Sequence, residues 1–388
     1  LLIGWIMARF LFILLACVVS FSAVAQTPRT RAAMTTEINT NFADNNTGAI
    51  TPALARSTYL DMMASVPFLN EIFQPPGGRL TLQSHTPVMI TTQSNKTTLY
   101  YDCYVSNAVV YYNGTSDVAQ TIPACEVSTA MQNSGTGVLN SSDAFDVWWS
   151  GVNSNICVAT NGSGGGWIGD GGNISLRGSG FTVLDRSTRP YTTNKNALTH
   201  CYNGATDYGA ISANQATYLG SFITNAAGQT TWVFGSAASG GGSAILSLWN
   251  MYNRVDVSTN VVDSGTSYTY TTATVREARG SATNIASYFV GIVEDGIVVT
   301  YTQQVTTTAN AAGFGLFGIG VSSTTSFFGG FFQCFTNAGA VQSCAGAEAT
   351  TVMPTVVGYN YVAALEEGDG THAQTFSSNA MLSLKVRM

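Results

Sequence analysis

Few side chains in this 388-residue sequence are suited to acid–base or nucleophilic chemistry, and it holds three histidines: His85, His200 and His372. A serine or cysteine nucleophile needs a base within hydrogen-bond reach. His200 directly precedes Cys201, a pairing that would suit a thiol enzyme. Neighbours on a strand point to opposite faces, however, so these two would not meet there. His85 lies in Ser-His-Thr-Pro and His372 in Gly-Thr-His-Ala-Gln, and both read as structural or solvent-facing. Glycoside hydrolysis needs two carboxylates roughly 5–9.5 Å apart. The candidates are Asp143 with Asp146, Glu294 with Asp295, and the group Glu366, Glu367 and Asp369. All fall at expected turns or strand ends, and spacing selects no pair. No catalytic residue is expected.

Cofactor and metal signals are equally weak. Gly164-Gly166-Gly169 and Gly313-Gly315-Gly318 both match G-x-G-x-x-G. Neither opens a helix inside a strand–helix–strand unit, the setting in which that pattern holds a pyrophosphate. With 40 glycines in the chain, chance matches are expected, so no cofactor is assigned. No cysteine pair has the C-x2-4-C spacing of a zinc site, and no metal is assigned.

The cysteines point instead to disulfides. Of the seven cysteines, cleavage of the leader would remove Cys17 and leave Cys103, Cys125, Cys157, Cys201, Cys334 and Cys344, an even set that allows 15 connectivities. Cys334 and Cys344 flank an expected turn at Asn337-Ala338-Gly339, so a local cross-strand link is reasonable. Proximity in sequence pairs Cys103 with Cys125 and Cys157 with Cys201. An export signal agrees with this. Met7-Ala8-Arg9 is followed by an apolar run from Phe10 to Phe21 and then by Ala23-Val24-Ala25. That order predicts cleavage after Ala25, and the run is shorter than the ~20 residues of a membrane span. Leu14-Leu15-Ala16-Cys17 approximates a lipobox and offers a second processing site.

Two places suggest contact with a ligand. The glycine-rich stretch around 162–173 presents Trp167, Asp170 and Asn173 on a loop whose glycines would let backbone approach a partner. Aromatic faces with amide or carboxylate groups suit a sugar-binding surface, whereas the structural alternative folds Trp167 onto the core. Trp148 and Trp149 are adjacent, so on a strand one ring faces outward; Trp149 is the candidate receptor contact. The apolar segment 310–332 is expected to form sheet core or a trimer seam, or else an exposed patch used for association.

Charged residues make up 9% of the chain, hydrophobic ones 45%, and the net charge is −6. That excludes disorder. With 15 basic residues and an isoelectric point near 5.0, there is no footprint for nucleic acid. Gly, Ser, Thr and Asn replace Lys and Glu, as suits long antiparallel sheets and their turns. Helical period is confined to the start. Met34, Ile38 and Phe42 line one face; Thr51-Pro52 then caps a second helix bearing Ala55, Tyr59 and Val66. Neither reaches the ~12–15 residues at which a lone helix is marginal, so each needs a partner surface. After Gln74 the pattern becomes short alternating runs such as Thr98–Val105 and Ala108–Gly114. The expected organisation is a leader at 1–25, a helical trimerisation or attachment module at 26–75, a first β domain at 76–215 and a C-terminal one at 216–388. The fold class is mainly β, antiparallel sandwich or jelly-roll domains preceded by a short helical hairpin.

The stretch Ile38–Arg56, followed by Gly77–Leu82 and Leu99–Val105, resembles modules of bacteriophage and prophage tail-fibre or receptor-binding proteins. So do Thr217–Val257 and the closing Leu384–Met388. The resemblance implies a non-enzymatic homotrimer that binds a host-surface glycan from a virion tail. Three helical hairpins would bury stripes that one copy exposes. The export signal departs from that pattern and introduces a secreted bacterial adhesin built from the same modules; a polysaccharide depolymerase is the enzymatic alternative.

Overall fold

A computed structural model describes residues 75–133, 137–307, 313–335 and 341–388, together with Thr36 and Thr40. The leader, the cleavage at Ala25, the turn at 337–339 and nearly all of the helical module lie outside the described residues. Thr36 and Thr40 are helical, and the Thr40 hydroxyl donates to the Thr36 carbonyl at 2.8 Å. The chain divides into two compact units, 1–71 and 72–388.

The second unit is mainly β. Its described residues form 27 strands and three single-turn 3-10 segments. They assemble into sheets of fourteen, eight, three and two strands. Pairing is antiparallel except at two places, where Thr230–Ala238 meets Asp256–Asp263 and Gly242–Leu246 meets Ile285–Val290. The fourteen-stranded sheet shows the period of two that the sequence carries. Along Ile297–Thr306, Ile297, Val299, Tyr301 and Val305 are buried while the residues between them are wholly or partly exposed, Gln303 excepted. The closing strand Ala380–Arg387 lies between Asp256–Asp263 and Ile297–Thr306 and buries Leu382, Leu384 and Val386.

The eight-stranded sheet departs from the alternating pattern. All seven residues of Ala144–Ser150 are buried, because both faces of this central strand are covered. Trp149 belongs to the large core that runs from Leu80 to Met388, with its ring 6.4 Å from that of Tyr101. Trp148, on the opposite face, joins a second aromatic core with Trp167, Tyr218, Trp249 and Phe289. Parity still holds, but neither face is solvent.

The boundary expected between 215 and 216 falls inside this sheet. Ala216–Ile223 pairs along its length with Ala144–Ser150, setting Tyr218 opposite Trp148. Gln93–Lys96 likewise pairs with Thr230–Ala238 of the larger sheet. Residues on both sides of 216 share one core, so a cut there would expose strands that pair across it.

The disulfides join Cys103 to Cys125, Cys157 to Cys201, and Cys334 to Cys344. Three disulfides fit an oxidising, exported environment. No helix among the described residues is long and apolar enough to cross a membrane. The apolar segment near 314–332 divides: Leu316, Phe317, Ile319 and Val321 enter the core, while Phe328 and Phe331 stay on the surface.

Candidate functional site

The glycine-rich loop is held by two carboxylates, Asp143 upstream of it and its own Asp170. Asp143 accepts hydrogen bonds from the backbone N–H of Ala144 at 2.7 Å, Gly166 at 2.7 Å and Ile168 at 3.0 Å. Burial raises its pKa even against these three donors. Asp170 accepts from the N–H groups of Gly180, Phe181 and Thr182 and from the Thr182 hydroxyl at 2.6 Å. Trp167 is fully buried, 5.4 Å from the Phe289 ring and with the Arg177 guanidinium 4.3 Å from its own centroid. A Cβ on Gly166 would stand 2.0 Å from the Ala144 carbonyl. These glycines therefore let the loop approach the sheet rather than a ligand.

Three of the four expected contact residues are thereby corrected. Trp149 and Trp167 are inaccessible, because burying an aromatic side chain of roughly 150–250 Å² is favoured wherever both sheet faces are covered. Both carboxylate oxygens of Asp170 hold backbone. Asn173 remains exposed at its side chain's end of the loop, its Oδ1 accepting from Ser175 N–H at 2.8 Å.

The histidines and carboxylates are also paired locally. His200 contacts Asp207 at 2.7 Å, His372 contacts Asp369 at 2.8 Å and His85 lies 3.4 Å from Glu126. Cys201 is in a disulfide and offers no thiolate. Asp146 binds the Arg177 guanidinium at 2.9 Å and the Ser221 hydroxyl at 2.6 Å. Glu294 and Asp295 both bind Arg254, each at 2.8 Å. Glu366 is buried against Arg276 and Tyr268. Among the described residues no group of three His, Cys, Asp or Glu side chains is placed to hold a metal ion.

The arrangement best suited to a ligand lies elsewhere. A cleft of about 150 Å³ opens between the end of the strand Ala108–Tyr112, the turn after Ser150, and the segment 208–215. Tyr111, Tyr112 and Tyr208 line it, with Asn113, Asn153 and Gln215 among them. That is below the ~300–1,000 Å³ of pockets that enclose drug-sized ligands, the scale of one small ring rather than an extended chain.

Each wall has a local cause. Gly151 allows the Tyr111 ring to rest on the backbone of the turn. Tyr112 is backed by the Arg189 guanidinium, 3.5 Å from its centroid, and its hydroxyl donates to the Gly114 carbonyl at 2.8 Å. Arg189 is in turn held by Asp117 at 2.5 Å, and Tyr191 donates to the same carboxylate oxygen. Burial raises the Tyr208 pKa, with Asn155 acting in the opposite sense, so this phenol stays neutral.

The cleft has no ionised lining residue. Asn113 Oδ1 accepts from Thr115 and Ser116 N–H, which leaves its NH₂ to donate elsewhere. Asn153 uses its NH₂ on the Ser150 hydroxyl at 2.7 Å, which leaves its carbonyl oxygen to accept. Half-buried aromatic rings with amide donors and acceptors between them match a neutral polyhydroxylated ligand. Sequence reading missed these residues. The available signal was the tyrosine pair closing Val109-Val110-Tyr111-Tyr112 just before an Asn-Gly turn.

No known family profile matches the chain, and no curated protein matches it. Among solved structures, 52% of the chain is similar to dimeric latent PorU from Porphyromonas gingivalis, at 11% identity and a TM-score of 0.22. It is also similar over 76% of its length to a tryptic core variant of Bacillus thuringiensis Cry1Da, at 9% identity and a TM-score of 0.14. The chain spans 20% and 50% of those two proteins. Likeness this slight carries no argument about function.

Proposed function

We propose that this is a non-enzymatic receptor-binding protein of tail-fibre type that recognises a neutral surface glycan through the Tyr111–Tyr112–Tyr208 cleft. The observation that carries the reading is the uncharged lining, three tyrosines interspersed with three amide side chains. In this reading the β unit is a sandwich of jelly-roll kind, and residues 26–75 assemble three copies. A shallow site repeated threefold gains avidity without a deep pocket.

The three disulfides favour a second version, a secreted adhesin built from the same modules. Detection of the folded chain on a bacterial surface, against its presence in purified virions, separates the two.

A glycan array followed by calorimetry tests the common claim. Neutral oligosaccharides are expected to bind and Tyr111→Ala with Tyr208→Ala to abolish binding, while reducing ends stay constant. Release of reducing ends would instead identify a depolymerase. Retention of all binding by the double variant would remove the cleft from the argument.

A further inference from the structure

The strand Ser343–Val352 is a ten-residue sheet edge. It pairs without a register break to Ile297–Thr306, from Ile297 opposite Val352 to Thr306 opposite Ser343. Among the described residues it has no strand on its other side. None of its ten residues is buried. Half of its backbone N–H and C=O groups therefore point away from the sheet with no ladder to join.

Natural edges are blunted by Lys, Pro, bulges or short length. This edge has none of these; Glu348 is its sole charge. It is also held in place from within. The Cys334–Cys344 disulfide anchors one end to the strand Phe332–Phe335. The Phe332 ring covers Gly346, where a Cβ would meet it at 2.3 Å. Phe335 is 57% exposed beside the disulfide, and Met353 is 46% exposed just past the far end. The result is a ten-residue edge without a bulge, anchored at one end and with apolar groups at both ends.

We propose that this edge pairs with the same edge of a second copy of the chain, forming a continuous antiparallel sheet across a twofold axis. The side chains suit that occupant. A register centred on Ala347 sets Ala345 opposite Ala349 and Ser343 opposite Thr351. It places Glu348 opposite Gly346, so the two carboxylates are diagonal neighbours rather than directly opposed. A register centred on Glu348 would set the two carboxylates against each other, which disfavours it. This contact is distinct from the glycan reading and from threefold association through residues 26–75.

The test uses the full chain with Ala345→Lys and Ala349→Lys together. In the proposed register each new cation faces another across the axis, and neither site is buried in the parent chain. Sedimentation of the parent is expected to show a concentration-dependent doubling of mass, dimer from monomer or hexamer from trimer. Amides of 343–352 gain hydrogen-exchange protection in step with it, and the double variant loses both effects. Ala347→Cys, which faces its own copy at the axis, is expected to cross-link two copies on mild oxidation, whereas exposed Val298→Cys on the neighbouring strand is not. Absence of doubling, doubling unaffected by the lysines, or edge protection independent of concentration would each overturn the proposal. The last result would mean that residues of the same chain cover the edge.

Discussion

Tyr111 rests on Gly151 so closely that a Cβ built there would stand 1.9 Å from the ring's Cε2. No side chain is tolerated at that distance without moving the ring. The glycine therefore fixes where one wall of the cleft stands. Gly151→Ala is expected to displace Tyr111 and weaken neutral-glycan binding by about tenfold or more, roughly 1.4 kcal/mol. Ile90→Ala, 80% exposed and outside the cleft lining, should leave affinity unchanged. Calorimetry on the two variants checks the claim, and equal affinities would refute it.

The loop carrying Trp167 depends on a residue more than twenty positions upstream. Asp143 satisfies three backbone N–H groups, two of them in the loop. Removing the carboxylate strands those donors in a buried site, at a cost of roughly 2–5 kcal/mol in total. Asp143→Ala is thus expected to lower the melting temperature markedly and to expose Trp167, seen as a red shift in fluorescence. Asp143→Asn keeps one acceptor and should fall between. A melting temperature matching the parent in both variants would contradict this account.

The same loop shows what a sequence conceals. Its glycines, Trp167 and Asp170 resemble a displayed surface because the partner of the loop, Asp143, has no local signature. Trp148 and Trp149 are separable by parity, but parity says nothing about whether the second face is covered. Pairing of Ala216–Ile223 with Ala144–Ser150 and of Gln93–Lys96 with Thr230–Ala238 joins distant segments through backbone hydrogen bonds, which any sequence forms. That is why the break expected at 216 is absent. What local rules control was legible: strand-rich composition, alternation along Ile297–Thr306, and cysteine pairs that follow chain proximity.

The disulfide between Cys157 and Cys201 ties the strands Asn155–Thr160 and His200–Asn203 across a separation of 44 residues, within the second aromatic core. Constraint of the unfolded chain by such a loop contributes roughly 2–5 kcal/mol. Cys157→Ala with Cys201→Ala is expected to lower the denaturation midpoint in urea accordingly. Reductant should lower the parent midpoint and leave the variant less affected, since one bridge is already gone. Identical midpoints for parent and variant without reductant would remove the structural role assigned here.

Asp102 and Glu126 sit opposite each other in the ladder between Thr98–Cys103 and Glu126–Ala130. The loop 84–86 closes over both. Thr86 N–H donates to Asp102 at 2.8 Å, while His85 N–H at 2.6 Å and the Ser84 hydroxyl at 2.8 Å donate to Glu126. Burial, and next the neighbouring Glu126, push Asp102 from 3.8 up to about 7. Burial acts to raise Glu126 as well, but the His85 N–H and Ser84 hydroxyl outweigh it and hold that group below its ordinary value. Two adjacent carboxyls thus favour holding one proton between them. An acid whose pKa is higher folded than unfolded stabilises the fold fully below its unfolded value. That contribution is lost as pH rises from about 4 to about 7. Asp102→Asn keeps this position neutral at every pH. Its melting temperature should therefore exceed the parent's above pH 7, and the gap should close towards pH 4. A gap that stays constant from pH 4 to 9 would show that the two carboxyls do not share a proton.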